Sequence, residues 1–395
     1  MNRILYIGAG NPWQGGAGFL VRQNLFLRAL AEVAELHLAL FDSVAGATPD
    51  FAKSFITLPM PDRARENKFV ALKEDLLSPL PRMLRGYNLL ESRQRVADLN
   101  LKGFDAVFSY RIDFGHFAGV LDHPNLLLDI DDPEHIRWER RIRATSNTID
   151  ARTHRDLKKL KTFEYAAVAK AKMSFVCQEN DRQGWPKAPE VVPNGVDLQA
   201  QPKRDVKSPR VIFVGNCAGG EKSPNADALA YFVREIWPLI LKAIPAAEFH
   251  VIGAADDAAK AVAQNSPQTH LRGFVPNLAD EYAQAAVSVA PIRFGTGTRI
   301  KILEAFAHAC PVVSTIIGAE GIAAVPGREI ELAGAPADFA ARCIELLQNE
   351  TLREKIGRGG YELAAKTYDR KVIQNSLLPR LRSALAKPTA YGSAA

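Results

Sequence analysis

The sequence predicts an α/β protein made of two doubly wound domains. Short apolar runs, many of them β-branched, alternate with amphipathic helical patterns along the whole chain. Most of these runs are continuously apolar, which is typical of parallel strands covered by helices on both faces. A turn-rich break divides the runs into two series. The length of 395 residues is sufficient for two or three domains.

Each series contains five predicted strands. The first series is Arg3–Gly8, Glu35–Phe41, Asp105–Tyr110, Asn125–Ile130 and Met173–Cys177. The second series is Arg210–Gly215, Glu248–Gly253, His270–Gly273, Val287–Pro291 and Pro311–Thr315. We therefore expect an N-terminal domain at 1–186, a linker rich in proline and charge at 187–208, and a C-terminal domain at 209–368. A last helix within 369–395 is expected to pack back on the N-terminal domain.

Composition excludes several classes of protein. Hydrophobic residues make up 47% of the chain and charged residues 24%, which excludes predominant disorder. No apolar run is long enough to span a membrane, and Met1–Gly8 reads as a strand and not as a signal peptide. The four cysteines, Cys177, Cys217, Cys310 and Cys343, are far apart and form no CxxC pair. We expect neither zinc nor disulfides, and a cytoplasmic location.

Positive charge is concentrated in one segment. The chain carries a net charge of +6, but Arg137–Lys172 alone has eleven Lys/Arg against four Asp/Glu. The segment predicts one long helix that buries Ile142, Ile149, Leu157, Leu160 and Phe163. A solvated helix face is the simpler interpretation; a surface for anionic lipid or a polyanionic substrate is the alternative. Nucleic acid is not expected, because the segment lacks a known motif and interleaved aromatic residues.

The first glycine-rich turn, Gly8–Gly18, feeds a helix predicted at Phe19–Ala34. Free N–H groups at such a turn suit an anion, although a loop without a ligand is the alternative. A dinucleotide fingerprint does not fit, because Trp13 takes the place of its third glycine.

The second domain opens with a similar arrangement. A strand ends at Gly215-Asn216, and Ser223-Pro224 begins a helix as N-cap and first residue. Lys222, just before that helix, could contact a phosphate or be simply solvated. The helix is predicted to bury an apolar stripe: Leu229, Phe232, Val233, Ile236, Leu239 and Ile240.

The densest signal is the run Pro291–Ala305. Gly295 and Gly297 allow backbone N–H groups to approach an oxyanion, and Arg299 and Lys301 add positive charge for a diphosphate. Glu304 lies on an otherwise apolar helix and needs a partner. The hydroxyl pair of a ribose is one candidate, and an i,i+3 pair with Lys301 is the alternative.

The run Gly297–Thr315, GTRIKILEAFAHACPVVST, with Gly318–Ile322, resembles the nucleotide-sugar signature of retaining GT-B glycosyltransferases of family 4. Four further segments appear in the family's order: Val192–Asp197, Phe213–Asn216, Pro224–Ala228 and Leu271–Pro276. The resemblance is specific over residues 190–325 and weak over the N-terminal half. It is strongest to bacterial transferases of extracellular polysaccharide and related glycan assembly.

The resemblance implies two Rossmann-like domains facing each other across a cleft. It implies transfer of a sugar, with retention, from a UDP- or GDP-linked donor to a glycan, lipid-linked or other acceptor. The chain would need no cofactor and no metal. Its partners would be these two substrates, with possible peripheral contact with an anionic membrane. Alternatives are a sugar-nucleotide epimerase and a catalytically degenerate nucleotide-sugar-binding protein.

The resemblance also assigns site residues. Glu304 would hold the ribose, Lys222 the diphosphate, and Gly273–Val275 would lie beside the base. The predicted donor-binding residues are Gly15, Gly16, Asn216, Gly253, Phe274, Val275, Gly295, Thr296, Gly297, Thr298, Arg299 and Glu304. The chain departs from the family at Thr296, which replaces the first carboxylate of the motif, and at Asn216 or Cys217, which replace an arginine. A threonine hydroxyl or loop amides would then contact the donor sugar.

Four residues are candidates for catalysis: Asp113, His116, Lys222 and Lys301. The two lysines would offset charge on the leaving diphosphate, and Asp113 and His116 would orient the acceptor or share its proton. Asp129–Pro133 contains a DxD cluster that could hold Mn²⁺ or Mg²⁺. Because it precedes a helix start, capping is the simpler interpretation, and we expect a metal-independent reaction.

Overall fold

The computed structural model describes residues 2–14, 18–43, 48–63, 68–145, 148–198, 202, 204–220, 223–297 and 299–386. The chain forms two compact α/β units. The first comprises Met1–His135, Ile149–Val192 and Ile373–Ala395, and the second comprises Ile136–Thr148 and Pro193–Val372. No helix in these described ranges is both long and apolar enough to cross a bilayer.

The first unit contains a seven-stranded parallel sheet in the order β3-β2-β1-β4-β5-β6-β7. Its strands are β1 Asn2–Ala9, β2 Ala34–Phe41, β3 Ser54–Leu58, β4 Ala106–Tyr110, β5 Leu126–Asp131, β6 Met173–Val176 and β7 Glu190–Val191. Helices of the N-terminal half of the chain are α1 Gly18–Ala31, α2 Lys68–Leu77, α3 Leu90–Ala97, α4 Ile112–Ala118, α5 Glu134–Thr145 and α6 Ala151–Lys170. Short 3-10 turns include Arg82–Leu84.

The second unit contains a six-stranded parallel sheet in the order β10-β9-β8-β11-β12-β13. Its strands are β8 Arg210–Val214, β9 Glu248–Ile252, β10 Thr269–Gly273, β11 Val287–Ala290, β12 Val312–Ser314 and β13 Glu331–Leu332. The remaining helices are α7 Pro224–Tyr231, α8 Trp237–Ala243, α9 Asp257–Gln264, α10 Leu278–Gln284, α11 Ile300–Ala307, α12 Pro336–Gln348, α13 Glu350–Leu363 and α14 Arg370–Leu385. π-helical turns occupy Phe232–Ile236 and Ala364–Tyr368.

Helices cover both faces of each sheet. Along β1, Ile4 and Tyr6 join a core cluster with residues of α1 and α14, whereas Leu5 and Ile7 join a second cluster with residues of α4 and α6. This alternation follows from the two-residue period of a strand. The second unit is built in the same way, with one core cluster around α7, α8 and α12 and another around α11. The predicted doubly wound architecture is confirmed in both units.

All ten predicted strands are present, and three short ones were not predicted. Strand β3 is half-buried over most of its length and lacks a continuous apolar run. Strands β7 and β13 have two residues each. Edge strands of this kind carry little periodic signal because only a few of their side chains enter the core.

Two helical predictions were wrong. The basic segment is not one long helix: α5 ends at Thr145, and Asp150 caps α6 by accepting the Thr153 N–H group. Of its predicted buried residues only Leu160 is fully buried. Leu239, predicted in the core, is 40% exposed. The π-helical turn that precedes α8 adds a residue to one turn, which rotates Leu239 away from the buried face.

Candidate functional site

The winding of the second unit's sheet reverses between β8 and β11. Strands β9 and β10 lie on one side of this point, and β12 and β13 lie on the other. The loops that leave the carboxyl ends of β8 and β11 therefore begin on either side of this point. Ligands of open α/β sheets bind at such reversal points. Asn216, the Gly295–Gly297 loop and the start of α11 all belong to this edge.

The loop after β11 requires its two glycines. Gly295 has φ +115°, and a Cβ atom there would lie 2.8 Å from Nη2 of Arg299. Gly297 has φ +79°. Arg299 folds back over the loop and donates from Nη1 to the carbonyl oxygen of buried Thr296 at 2.5 Å. The predicted cation is thus held against the loop backbone, and the predicted Thr298 lies outside the described residues.

Lys301 lies in the first turn of α11, and its ammonium is enclosed by protein. Nζ donates to Oδ1 of Asn225 at 2.7 Å and lies 4.1 Å from the ring centroid of Phe213. A Cβ atom at Gly215 would come within 2.8 Å of Nζ, so glycine makes room for the lysine. Burial, aided by the charge of Arg299, lowers the pKa of Lys301 to about 7. Such an ammonium gains from any nearby anion.

The Glu304 carboxylate makes no hydrogen bond or ion pair with the part of the chain that the structure describes. The alternative pairing with Lys301 is absent, because that ammonium binds Asn225 instead. Burial raises the pKa of the Glu304 carboxyl, and the nearby charge of Lys301 opposes this rise. A half-buried carboxylate without a donor among the described residues can accept hydrogen bonds from a pair of ligand hydroxyls.

The loop after β8 is fixed by hydrogen bonds. Asn216 Oδ1 accepts the Ala218 N–H group at 2.8 Å, and Asn225 Nδ2 donates to the Asn216 carbonyl at 2.9 Å. The Asp256 carboxylate, which also caps α9, accepts the N–H groups of Gly219 and Gly220 at 3.0 and 2.8 Å. This loop leads to Lys222, which lies outside the described residues.

Gly253 and Phe274 follow the neighbouring strands β9 and β10. A Cβ atom at Gly253, where φ is +125°, would lie 2.3 Å from the Gly215 carbonyl oxygen, so this glycine allows the two strand ends to touch. Phe274 is 90% exposed, and Val275 packs against the core cluster around α11. A bare aromatic ring at this edge offers a stacking surface for a planar base.

A site residue that the sequence interpretation missed is Arg140. It belongs to α5 and to the segment of that helix that groups with the second unit. Its Nη1 and Nη2 atoms bind the Glu320 carboxylate at 2.5 and 2.9 Å, and Nη1 also lies 3.4 Å from the Gly295 carbonyl oxygen. The one sequence signal that could have drawn attention to Arg140 is the high density of cations between residues 137 and 172.

The two candidate acceptor residues line different cavities of the first unit. Asp113 lies 3.3 Å from Arg111, which also binds Glu134 at 3.1 Å. His116 lies in a cavity of about 240 Å³, with its ring edge-on to Phe163 at 5.4 Å. Burial and the charge of Arg93 lower the pKa of His116, which keeps the ring neutral at pH 7. Gly15 and Gly16 lie outside the described residues.

The acidic cluster at the end of β5 does not cap a helix through Asp129 and Asp131. Both carboxylates bind Arg22: buried Asp129 at 2.6 and 2.8 Å, and Asp131 at 3.2 Å. The N–H groups of Glu134 and His135, at the start of α5, donate to Glu164 instead. Oxygen and sulfur atoms of Asp131, Asp132 and Cys177 lie within 4.8 Å of one another. Arg22 lies beside Asp131 as well as Asp129, and its positive charge opposes binding of a cation there.

Comparison with known proteins finds a family match within the second unit. Residues 208–349 match the family model of glycosyl transferases group 1. A relative described as an uncharacterized 44.6 kDa protein in the cps region of Klebsiella pneumoniae is 24% identical over 183 residues. That match covers 44% of this chain and 46% of the relative, so it spans less than half of either protein.

Solved structures match the whole chain. A TarM variant from S. aureus, in complex with UDP, α-GlcNAc-glycerol and fondaparinux, is 13% identical with a TM-score of 0.68 and covers 98% of this chain and 100% of its own. HepE from Anabaena, in complex with UDP and glucose, is 14% identical with a TM-score of 0.63, at 97% and 100% coverage. The structural likeness shows the GT-B fold, and residues 208–349 of the second unit are similar to the glycosyl transferases group 1 family.

Proposed function

We propose that the chain is a retaining glycosyltransferase of family 4 that moves a sugar from a nucleotide-diphosphate sugar to a glycan, lipid-linked or other acceptor, without a metal. One observation carries this proposal. At the reversal point of the second sheet, a glycine loop, an enclosed lysine and a carboxylate without a protein partner share one edge. Diphosphate and ribose are the groups that such a set complements.

Each part of the donor has a proposed partner. The diphosphate is expected to bind the amides of the Gly295–Gly297 loop and the Lys301 ammonium, which is poorly neutralised by the protein. The ribose hydroxyls are assigned to Glu304, and the base to the exposed ring of Phe274 beside Val275. UDP is the first nucleotide to test, because the matched TarM and HepE structures contain it, and GDP is the second.

The proposed reaction separates charge at the anomeric carbon. Negative charge develops on the leaving diphosphate, where Lys301, Arg299 and the loop amides stabilise it. The acceptor hydroxyl attacks from the same face, its proton passes to the leaving phosphate oxygen, and the anomeric configuration is retained. No separate base is then required. Asp113 in the first unit is proposed to orient the acceptor.

A nucleotide panel tests the donor site. Calorimetry with UDP, GDP, ADP and CMP should give one preferred nucleotide, and Glu304→Ala should weaken its binding by at least tenfold, since the ribose loses its acceptor. Transfer is then measured with sugars linked to the preferred nucleotide. Glu304→Ala with undiminished nucleotide affinity would rule out the proposed site.

Thr296 favours a second candidate, a nucleotide-sugar-binding protein without transferase activity. The family motif resembled by this chain has a carboxylate at this position, and here the residue is a buried threonine. Tight binding of a nucleotide sugar, with neither hydrolysis nor transfer over a broad acceptor panel, would favour this candidate. Gain of turnover in Thr296→Glu would support it further.

The cellular site is also a proposal. The four cysteines are free and buried, which suits a reducing cytoplasm. Cations such as Arg141, Arg143 and Lys158 are exposed on α5 and α6 and could contact an anionic membrane peripherally. Co-sedimentation with vesicles should then rise with the fraction of anionic lipid and fall with salt; binding indifferent to both would contradict this part.

A further inference from the structure

Four cationic side chains of the first unit converge on one residue, Asp75 near the end of α2. Arg82 donates from Nε and Nη2 to the two carboxylate oxygens at 2.8 and 2.7 Å. Arg152 donates from Nε to Oδ2 at 2.6 Å, and Arg85 pairs with Oδ1 through Nη2. Lys159 donates from Nζ to the Asp75 carbonyl oxygen at 2.7 Å. A single carboxylate thus serves three guanidinium groups.

The surrounding acids do not balance these cations. Glu74 lies 3.9 Å from Arg85, and Asp156, which accepts the Arg82 backbone N–H group at 2.9 Å, lines the same small cleft as Arg155. With Arg155 included, five cations meet three carboxylates. Among the residues that the structure describes, the cluster therefore keeps an excess of two positive charges.

Arg85 keeps unused donors inside this cluster. Its side chain is 6% exposed, and neither Nε nor Nη1 has a hydrogen-bond partner in the described residues. A buried guanidinium with unused donors is costly unless a counter-charge lies close by. Asp75 is already shared with two other arginines, so no carboxylate of the described residues supplies the counter-charge for these two donors.

The outer side of the cluster is open to solvent. The Arg152 side chain is 54% exposed, and with Lys159 and Arg82 it borders the cleft. An anion can therefore reach the cations from solvent.

The cluster borders the edge of the first sheet at which the acceptor is proposed to bind. The turn Arg82–Leu84 connects them: Met83 and Leu84 line a cavity together with Arg111 and Asp113, which follow strand β4. A group bound beside Arg82 would thus lie next to the carboxyl ends of the strands.

We infer that Arg82, Arg152 and Lys159, backed by Arg85 and Asp75, form a binding site for a phosphate mono- or diester carried by the acceptor or by the membrane that presents it. Planar guanidinium groups match phosphate oxygens in pairs, and a phosphate brings the charge that the cluster lacks. The link to an acceptor rests on the proposed function; the phosphate site itself does not.

Titration with inorganic phosphate tests the site directly. Phosphate is titrated into the full chain at constant ionic strength, with saturating UDP present so that the diphosphate site is filled, and stabilisation is followed by thermal unfolding. We expect a saturable rise in Tm that Arg152→Gln/Lys159→Gln shifts to at least tenfold higher phosphate. The control Arg182→Gln/Lys207→Gln removes two exposed cations elsewhere and should behave as wild type. No saturable effect, or equal weakening by both double variants, overturns the inference.

Asp75→Asn gives an independent test of opposite sign. Removing the internal counter-charge should lower Tm in phosphate-free buffer and enlarge the rise in Tm that phosphate produces, because the anion then replaces the lost carboxylate. A rise no larger than in wild type contradicts the inference. If Asp75→Asn fails to fold even with phosphate, the Arg152→Gln/Lys159→Gln comparison still decides.

Vesicles distinguish the two sources of phosphate. Binding to phosphatidylglycerol–phosphatidylcholine vesicles, lost in Arg152→Gln/Lys159→Gln but not in the control, assigns the site to lipid headgroups. Phosphate binding without vesicle binding assigns the site to a phosphate on the acceptor. If neither phosphate nor vesicles bind, the site is refuted. UDP titration of the same proteins separates the two proposals: absent UDP binding contradicts the proposed function, whereas loss of the phosphate response alone contradicts only this inference.

Discussion

Arg140 and Glu320 form a two-hydrogen-bond ion pair, although 180 residues separate them in the sequence. The same guanidinium reaches the carbonyl oxygen of Gly295. It thereby connects the loop after β11 with the loop after β12, and the carbonyl of Gly295 is turned towards α5. This arrangement holds the glycine loop at the edge where the donor diphosphate is proposed to bind.

We expect Arg140→Gln to weaken UDP binding by about tenfold, which corresponds to losing a charge-assisted contact that orders the loop. Calorimetry at fixed salt gives the change. Arg143→Gln provides the matched control, since this residue is 67% exposed on the same helix and pairs only with Glu139 among the described residues. Equal affinities in both variants would show that the pair does not order the loop.

Lys301 should make nucleotide binding dependent on pH. Its pKa of about 7 in the free protein leaves roughly one-tenth of it protonated at pH 8, and a bound diphosphate should restore the charge. UDP binding at pH 8 should therefore take up about nine-tenths of a proton, and affinity should fall by up to tenfold per pH unit above 7. Calorimetry in buffers of different ionisation enthalpy measures this uptake. Lys301→Met should abolish it, and unchanged uptake in that variant would assign the proton to another group.

The same lysine affects the stability of the free protein. Its pKa is lowered on folding, so between pH 7 and its unfolded value near 10.4 the unfolded chain binds more protons than the folded chain. This group therefore raises the free energy of unfolding as pH increases through that window. Urea unfolding at pH 7 and 9 should show a smaller pH increment in Lys301→Met than in wild type. An identical increment in the two proteins would contradict the burial of a neutral lysine.

Gly295→Ala should damage the donor site more than the fold. The φ of +115° strains any side chain there, by about 1–3 kcal/mol, and the new Cβ would press on Arg299. Loss of UDP affinity together with a modest drop in Tm is the expected result. Gly334→Ala is the control, because a Cβ at that exposed position meets nothing within 4 Å. If Gly295→Ala binds UDP like the control, the loop does not approach the ligand closely.

Arg22 and Asp129 should contribute strongly to the stability of the first unit. Both side chains are buried, and Arg22 also binds the Val192 carbonyl oxygen at 2.8 Å. Arg22→Met leaves a buried carboxylate without its main partner and should cost about 3–5 kcal/mol in urea unfolding. Arg22→Met/Asp129→Leu should recover part of this loss, because the uncompensated charge is gone. A single variant as stable as wild type would contradict the ion pair.

The sequence predicted the architecture well because strands buried on both faces are continuously apolar. The prediction of secondary structure failed where the sequence pattern was confined to one or two residues or was absent. Strands β7 and β13 are too short for a pattern, and the basic segment was interpreted as one helix although Asp150 marks a new N-cap within it. Leu239 followed the ordinary helical period, which the π-helical turn interrupts.

Some residues of the candidate site could likewise be predicted from the sequence, and others could not. Gly295, Lys301 and Glu304 are close in sequence, so their spacing brought them to notice. Arg140 could not be assigned, because its partners are 155 and 180 residues away and pairing at that distance depends on the tertiary structure. The cations around Asp75 come from α6 and from the turn Arg82–Leu84 with the residue after it, and nothing in the sequence indicates that they meet on a residue of α2.

Asn225 has a consequence for selectivity. Its amide oxygen accepts a hydrogen bond from the Lys301 ammonium, and its amide nitrogen donates to the Asn216 carbonyl oxygen. An uncharged nucleoside offers the Lys301 ammonium no better hydrogen-bond acceptor than the Asn225 amide. Replacing the amide by such a ligand therefore gains no binding free energy. Only an anionic oxygen is a stronger acceptor for this ammonium than the Asn225 amide oxygen. The site should therefore select ligands by their negative charge more than by their shape. Free sugars and uncharged nucleosides should bind weakly and compete little with the donor.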